Sequence, residues 1–157
     1  MAPKPIPEGY NTVTPYLAVG DAAAAIEYYT KVFGAKETVR MDGPEGMIAH
    51  AELDIGDSKI MLSDPFPQAS TKPPKELGGT SASIFMYVED VDAIVKKAVD
   101  AGGTITMEVQ DQFWGDRYGS ITDPFGHSWS IATHVEDVPP EEMEERAKAA
   151  MAQMSAS

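Results

Sequence analysis

The spacing of apolar and polar residues divides the chain into two similar halves. A short apolar run ending in an acid, YLAVGD at residues 16–21, is echoed by FMYVED at residues 85–90. After Asp21, Ala22, Ile26, Tyr29 and Phe33 fall on one helical face, and Gly34 supplies the stop. After Asp90, Val91, Ile94, Val95 and Ala98 do the same, with Gly102 as the stop. An Asp side chain accepts from the unpaired N–H groups of a first helical turn, and glycine takes the left-handed conformation that ends a helix, so both boundaries have a physical cause. Each helix is followed by extended segments: ETVRM and GMIAHAELDIGDSKIMLSD in the first half, TITMEV and DRYGSITDPFGHSWSIATH in the second. The pattern predicts an α+β fold of tandem βαβββ modules. One covers residues 10–64, the other 80–136, and a Pro-, Gly-, Ser- and Thr-rich linker at 65–79 joins them into a single domain, 10–136. Residues 137–157 form a tail in which Pro139 and Pro140 precede an amphipathic helix. Its stripe of Met143, Ala147, Ala150, Met151 and Met154 is too long to stay wet, and is expected to cover its own module or the partner copy in a homodimer.

The two-residue period of a strand assigns its faces. Ile48, His50 and Glu52 share one side, and Ala49, Ala51 and Leu53 take the other, beneath a helix. Likewise Tyr118, Ser120 and Thr122 oppose Gly119 and Ile121, while Ser128, Ser130 and Ala132 oppose Trp129 and Ile131. The face away from the helices is polar in both halves, which a purely structural sheet does not require. It points to a small-molecule pocket lined by His50, Glu52, Trp114, Arg117, Tyr118, Ser120 and Ser130. Imidazole titrates near neutrality, so His50 with Glu52 beside it reads as a catalytic general base or as a hydrogen-bonded wall residue. Arg117 reads as a fork for a carboxylate or phosphate of a ligand, or as half of an ion pair with Asp116 or a strand-edge acid. Trp114 reads as a stacking surface or as packing. Residues 123–126, DPFG, are most simply a turn.

Charge narrows the partners. Twenty-five acidic residues against twelve basic ones give a formal net charge of −13, which repels nucleic-acid phosphates and anionic membranes. With no cysteine, thiolate chemistry and thiolate metal sites are impossible, and a cytoplasmic location is expected.

The motifs YLAVGDAAAAIEYYTKVFGA, GDSKIMLSD and FWGDRYGSITDPFGHSW resemble the vicinal oxygen chelate superfamily, which holds glyoxalase I, extradiol dioxygenases, fosfomycin-resistance enzymes and bleomycin-binding proteins. Within it they look like the PhnB-like branch, also labelled 3-demethylubiquinone-methyltransferase-like. No Gly-rich strand-to-helix loop supports methyl transfer. The resemblance implies a cupped sheet with helices outside. In metal-bearing members it also implies His or Glu ligands from the first and last strand of each module. Carried across, those positions fall at Thr14 and Ser83 and near Ile60 and at Ser130, none a good ligand. The resemblance therefore implies a protein that binds, and in one form converts, a small organic molecule with no cofactor. Two alternatives stay open: a metal-dependent lyase or dioxygenase holding a divalent metal through His50 and Glu52, and a non-catalytic protein that sequesters a toxic or cationic drug, which the acidic surface would favour by long-range attraction.

Overall fold

The computed structural model describes residues 2–157. Its contacts divide the chain into two compact units. The first runs to Ser81 and also takes in Pro124–His127; the second comprises Ala82–Asp123 and Ser128–Ser157.

The first unit contains β1 (Tyr16–Ala18), α1 (Ala22–Phe33), β2 (Lys36–Asp42), β3 (Ile48–Ile55) and β4 (Ser58–Ser63). The strands lie in the order β1-β4-β3-β2, with β1 parallel to β4 and the other pairs antiparallel. Asp21 caps α1 by accepting from the Ala24 N–H at 3.0 Å, and Gly34, at φ 67°, ends it. Ala22, Ile26, Tyr29 and Val32 of α1 are buried, as are Ala51, Leu53, Ile60 and Leu62 of the sheet. The buried carboxylate of Asp64 ties the layers together, accepting from the Ala22 N–H at 2.9 Å and the Ile48 N–H at 2.7 Å. Pro124–His127 of the DPFGH loop complete this unit although the strands on either side belong to the other. The Phe125 ring lies 6.1 Å from that of Tyr28 and 6.2 Å from that of Tyr29, and Nε2 of His127 donates to the Ala18 carbonyl at 2.8 Å. Gly126 has φ 92°, and a Cβ there would meet the Pro74 Cβ at 2.9 Å, so the one-turn helix α2 (Pro74–Leu77) packs where only glycine fits.

The second unit repeats the order with β5 (Ser83–Tyr87), α3 (Val91–Asp100), β6 (Thr104–Asp111), β7 (Asp116–Thr122) and β8 (Ser128–His134), followed by α4 (Pro140–Ser155). Its sheet runs β5-β8-β7-β6, with β5 parallel to β8. Asp90 caps α3 through the Ala93 N–H at 3.1 Å. The helix stops at Asp100 with Ala101 as its cap, one residue before the Gly102 expected to end it. Val91, Val95, Ala98, Ile121, Trp129 and Ile131 are buried, and the indole of Trp129 donates to Asp123 at 2.8 Å. Asp123 thus anchors a core tryptophan as well as beginning a turn. Helix α4 is held by a polar anchor: Arg146 donates to Glu136 and Glu142 at 2.7 Å each and to the Phe113 carbonyl at 3.3 Å. None of its residues is buried, and Met151 and Met154 remain 65% and 78% exposed. Within this chain, then, the apolar stripe stays largely open.

Candidate functional site

Each unit presents one face of its sheet away from its helices, and each face carries a connected group of polar and aromatic side chains. In the second unit the register sets Asp116 opposite His134, Tyr118 opposite Ala132, and Ser120 opposite Ser130. On the parallel side, Phe85 lies opposite Ser130 and Tyr87 opposite Ala132. Cross-strand partners share a face, so Ser83, Phe85, Tyr87, Asp116, Tyr118, Ser120, Ser130 and His134 form one surface.

Asp116 is its hub. Only 2% exposed, it accepts from the Trp114 indole at 2.9 Å, the Tyr87 hydroxyl at 3.0 Å and Nδ1 of His134 at 2.8 Å. Burial resists ionisation of this carboxyl, and the donors His134, Tyr87 and Trp114 outweigh it, holding the group below the usual carboxylate range. His134 faces carboxylates on both nitrogens, Asp137 at Nε2 and Asp116 at Nδ1, and both neighbours raise its affinity for a proton. The Tyr87 phenol is pushed up by its bond to Asp116. Above this hub the rings form a row. Phe85 stacks on Tyr118 with centroids 5.9 Å apart at 19°, Tyr87 lies 5.1 Å from Phe85, and Trp114 meets Tyr118 edge-on at 6.0 Å. Phe85 and Tyr87 are 49% and 62% exposed, unusual for large rings. Three hydroxyls lie beneath, Tyr118 donating to Ser130 Oγ at 3.1 Å and Ser130 sharing a hydrogen bond with Ser83 at 2.9 Å. Ser120 bonds Thr106 at 2.8 Å.

In the first unit His50 and Glu52 do meet, Nε2 to Oε1 at 3.0 Å. Two residues that strand alternation alone does not single out complete the group. The Tyr16 hydroxyl lies 3.0 Å from Nδ1 of His50, and the Tyr10 hydroxyl donates to the other oxygen of Glu52. A carboxylate only accepts, so Nε2 of His50 is the donor to Glu52, and in the neutral imidazole this leaves Nδ1 as the acceptor for the Tyr16 hydroxyl.

Arg117 requires a correction. Expected at a ligand rim beside Tyr118, its side chain instead lies on the opposite side of β7, toward α3. There it grips Asp92 with Nε at 2.7 Å and Nη2 at 3.0 Å, and Asp111 with Nη1 at 3.2 Å. Strand alternation is the reason: residue 117 shares its face with Gly119 and Ile121, not with Tyr118. The fork is filled by helix and strand-edge carboxylates, and Asp116 is occupied elsewhere. Asp92 is held below the usual carboxylate range by this arginine.

A divalent metal does not fit the positions that the superfamily resemblance assigns to its ligands. Thr14 precedes β1, Ile60 is buried, and Ser83 and Ser130 bond each other, so three neutral hydroxyls and a hydrocarbon stand where imidazole or carboxylate is required. In the rival reading with His50 and Glu52 as ligands, both histidine nitrogens and both glutamate oxygens already have partners. Among the described residues no group of three or more His, Cys, Asp or Glu is placed to hold a metal ion.

Comparison with known proteins gives this geometry a setting. Residues 9–131 match the family model described as the Glyoxalase/Bleomycin resistance protein/Dioxygenase superfamily. The protein Mb0911c of Mycobacterium bovis is 44% identical over 135 residues, covering 84% of this chain and 89% of that protein. The crystal structure of TioX from Micromonospora is similar with a TM-score of 0.63 and 29% identity, over 80% of this chain and 99% of that one. The PhnB protein of Bacillus cereus, at 19% identity and a TM-score of 0.63, shares the fold over 78% of this chain and 99% of its own. No helix among the described residues is long and apolar enough to cross a membrane.

Proposed function

Because the chain belongs to the glyoxalase, bleomycin resistance and dioxygenase superfamily, we propose that it binds a small organic molecule with a flat, π-rich part, and does so without the metal of the metal-bearing members. The observation that carries this reading is the row of Phe85, Tyr87, Tyr118 and Trp114 on the open face of the second sheet. Exposed rings lose favourable burial, and a planar guest stacking on them recovers it. The hydroxyls of Ser83, Ser130 and Tyr118 offer hydrogen bonds for orientation, which is how a mostly apolar site selects its ligand. The same reading takes the protein as a homodimer, supported by a closing helix whose Met151 and Met154 are left exposed.

Intrinsic fluorescence tests the proposal. Trp129 is 1% exposed and Trp114 borders the row, so a stacked guest quenches Trp114 selectively. A screen of flat metabolites and antibiotics, run with a chelator throughout, is expected to give quenching that Trp114→Phe removes. Phe85→Ala should weaken binding by about 0.5–1.5 kcal/mol, the range for an aromatic pair. Binding that needs added metal, or that ignores Phe85→Ala and Tyr118→Ala in folded protein, defeats the reading. Release of the ligand unchanged identifies a sequestering protein, and release of a different compound an enzyme.

A further inference from the structure

The first unit carries a second arrangement that ligand stacking does not use. Tyr16, His50, Glu52 and Tyr10 form an unbroken hydrogen-bonded chain: the Tyr16 hydroxyl to Nδ1 at 3.0 Å, Nε2 to Oε1 at 3.0 Å, and the remaining carboxylate oxygen to Tyr10. The Tyr16 end is open, with the residue 45% exposed, while the side chains of His50 and Glu52 are 24% and 18% exposed. An acid–base group oriented by a carboxylate, with a hydroxyl at its outward nitrogen, has the parts needed for proton transfer. From the chain Tyr16–His50–Glu52–Tyr10 we infer a metal-free acid–base site in which Tyr16 is the catalytic residue facing the substrate, His50 takes its proton, and Glu52 and Tyr10 are positioning residues.

The neighbouring charge indicates the substrate class. The ammonium of Lys59 sits 5.1 Å above the Tyr10 ring and is paired with Asp54, and a relay that leaves Tyr16 a neutral phenol puts the negative charge of the step on the substrate. The substrate must spread its own negative charge, as does a carbon acid flanked by two carbonyl groups. In the step, the substrate C–H bond breaks and its proton passes to the Tyr16 oxygen as the phenolic proton moves to Nδ1. The electron pair stays on the substrate as an enolate shared between two oxygens, and the imidazolium is held against Glu52. Reversal restores the C–H bond, so the net result is proton exchange or isomerisation and no oxidant or reductant is consumed.

Deuterium uptake into 2,4-pentanedione, followed by NMR in D2O with a chelator present, tests the site on the full chain; the probe has no ring, so stacking in the second unit is not assayed. Wild type should accelerate uptake above buffer. Tyr16→Phe, which keeps the ring against His50, should reduce that acceleration roughly a hundredfold, the lower end for general acid–base catalysis. Glu52→Gln should reduce it in part, and Arg117→Ala not at all, with all variants checked by circular dichroism. Wild-type uptake no faster than buffer, or full activity in Tyr16→Phe, overturns the inference.

Discussion

Replacing Asp116 distinguishes a structural hub from an ordinary buried acid, because two substitutions should differ in a way the hydrogen bonds dictate. In Asp116→Ala the Trp114 indole, the Tyr87 hydroxyl and His134 Nδ1 all lose their acceptor. Tyr87 and the His134 side chain are 62% and 52% exposed, so water replaces much of what they lose. The indole of Trp114 is less exposed than either, so water compensates it least. A hydrogen bond to a charged group contributes about 1.5–3 kcal/mol, and that is the expected loss. For a chain of this size it lowers the melting temperature by roughly 3–12 °C. In Asp116→Asn the amide oxygen can occupy the Oδ2 position and keep both Trp114 and Tyr87, while the amide NH2 then faces His134 Nδ1, so only the bond to the protonated imidazole is lost. That variant should lie much closer to wild type. Its remaining deficit has a sign that pH reveals. His134 has a raised proton affinity in the folded protein, caused by Asp137 and then Asp116, so its stabilisation is complete below about 6.5, the ordinary imidazole value. It fades as pH rises through the raised value, and the gap between Asp116→Asn and wild type should close with it. Urea unfolding followed by calorimetry and far-UV dichroism at several pH values supplies the data. Equal losses for Ala and Asn, or a gap that widens toward alkaline pH, would refute the hub.

Three further outcomes follow from the same geometry. Gly115→Ala should destabilise by about 2 kcal/mol or more, because φ is 99° and the new Cβ would lie 2.1 Å from the Glu136 carbonyl oxygen; a denaturation midpoint like that of wild type would count against it. Arg117→Ala should leave affinity for any ligand of the aromatic row unchanged and lower stability slightly, with the difference shrinking in high salt, since its partners are exposed carboxylates on the helix side; titration calorimetry showing weaker binding would return Arg117 to the ligand. Removing the residues after Asp137 should lower the mass measured by light scattering if α4 joins two copies, and an unchanged mass would remove α4 from the proposed contact.

The strand and helix order could be read directly from local pattern, because caps at Asp21 and Asp90 and alternation in β3, β7 and β8 are short-range signals. His50 with Glu52, and Tyr118 with Ser130, could be read the same way. Arg117 shows the opposite case: alternation already placed it with Gly119 and Ile121, but chemistry favouring an anion contact drew it to its neighbour Tyr118. Asp116 could not be identified as a hub without the register. Its donors come from β5, β8 and the Trp114 turn, and nothing local to residue 116 sets it opposite His134. Tyr16 lies two strands away from His50, with β4 between them, so its role depends on strand order and not on spacing.

The DPFGH loop has a consequence for how this polypeptide comes into being. A ribosome delivers the strands and helix of the first unit in the first half of the chain, yet Phe125 against Tyr28 and Tyr29, and His127 on the Ala18 carbonyl, arrive only after most of the second unit has been made. The early segment must therefore wait, with part of its aromatic cluster unfilled, for residues that emerge much later. Expressing residues 1–81 alone should yield a species lacking those contacts, and supplying the remainder as a separate fragment should restore them only by association. A tandem repeat in sequence is thus not strictly sequential in time, since the four residues that complete the first unit, Pro124–His127, emerge after most of the second.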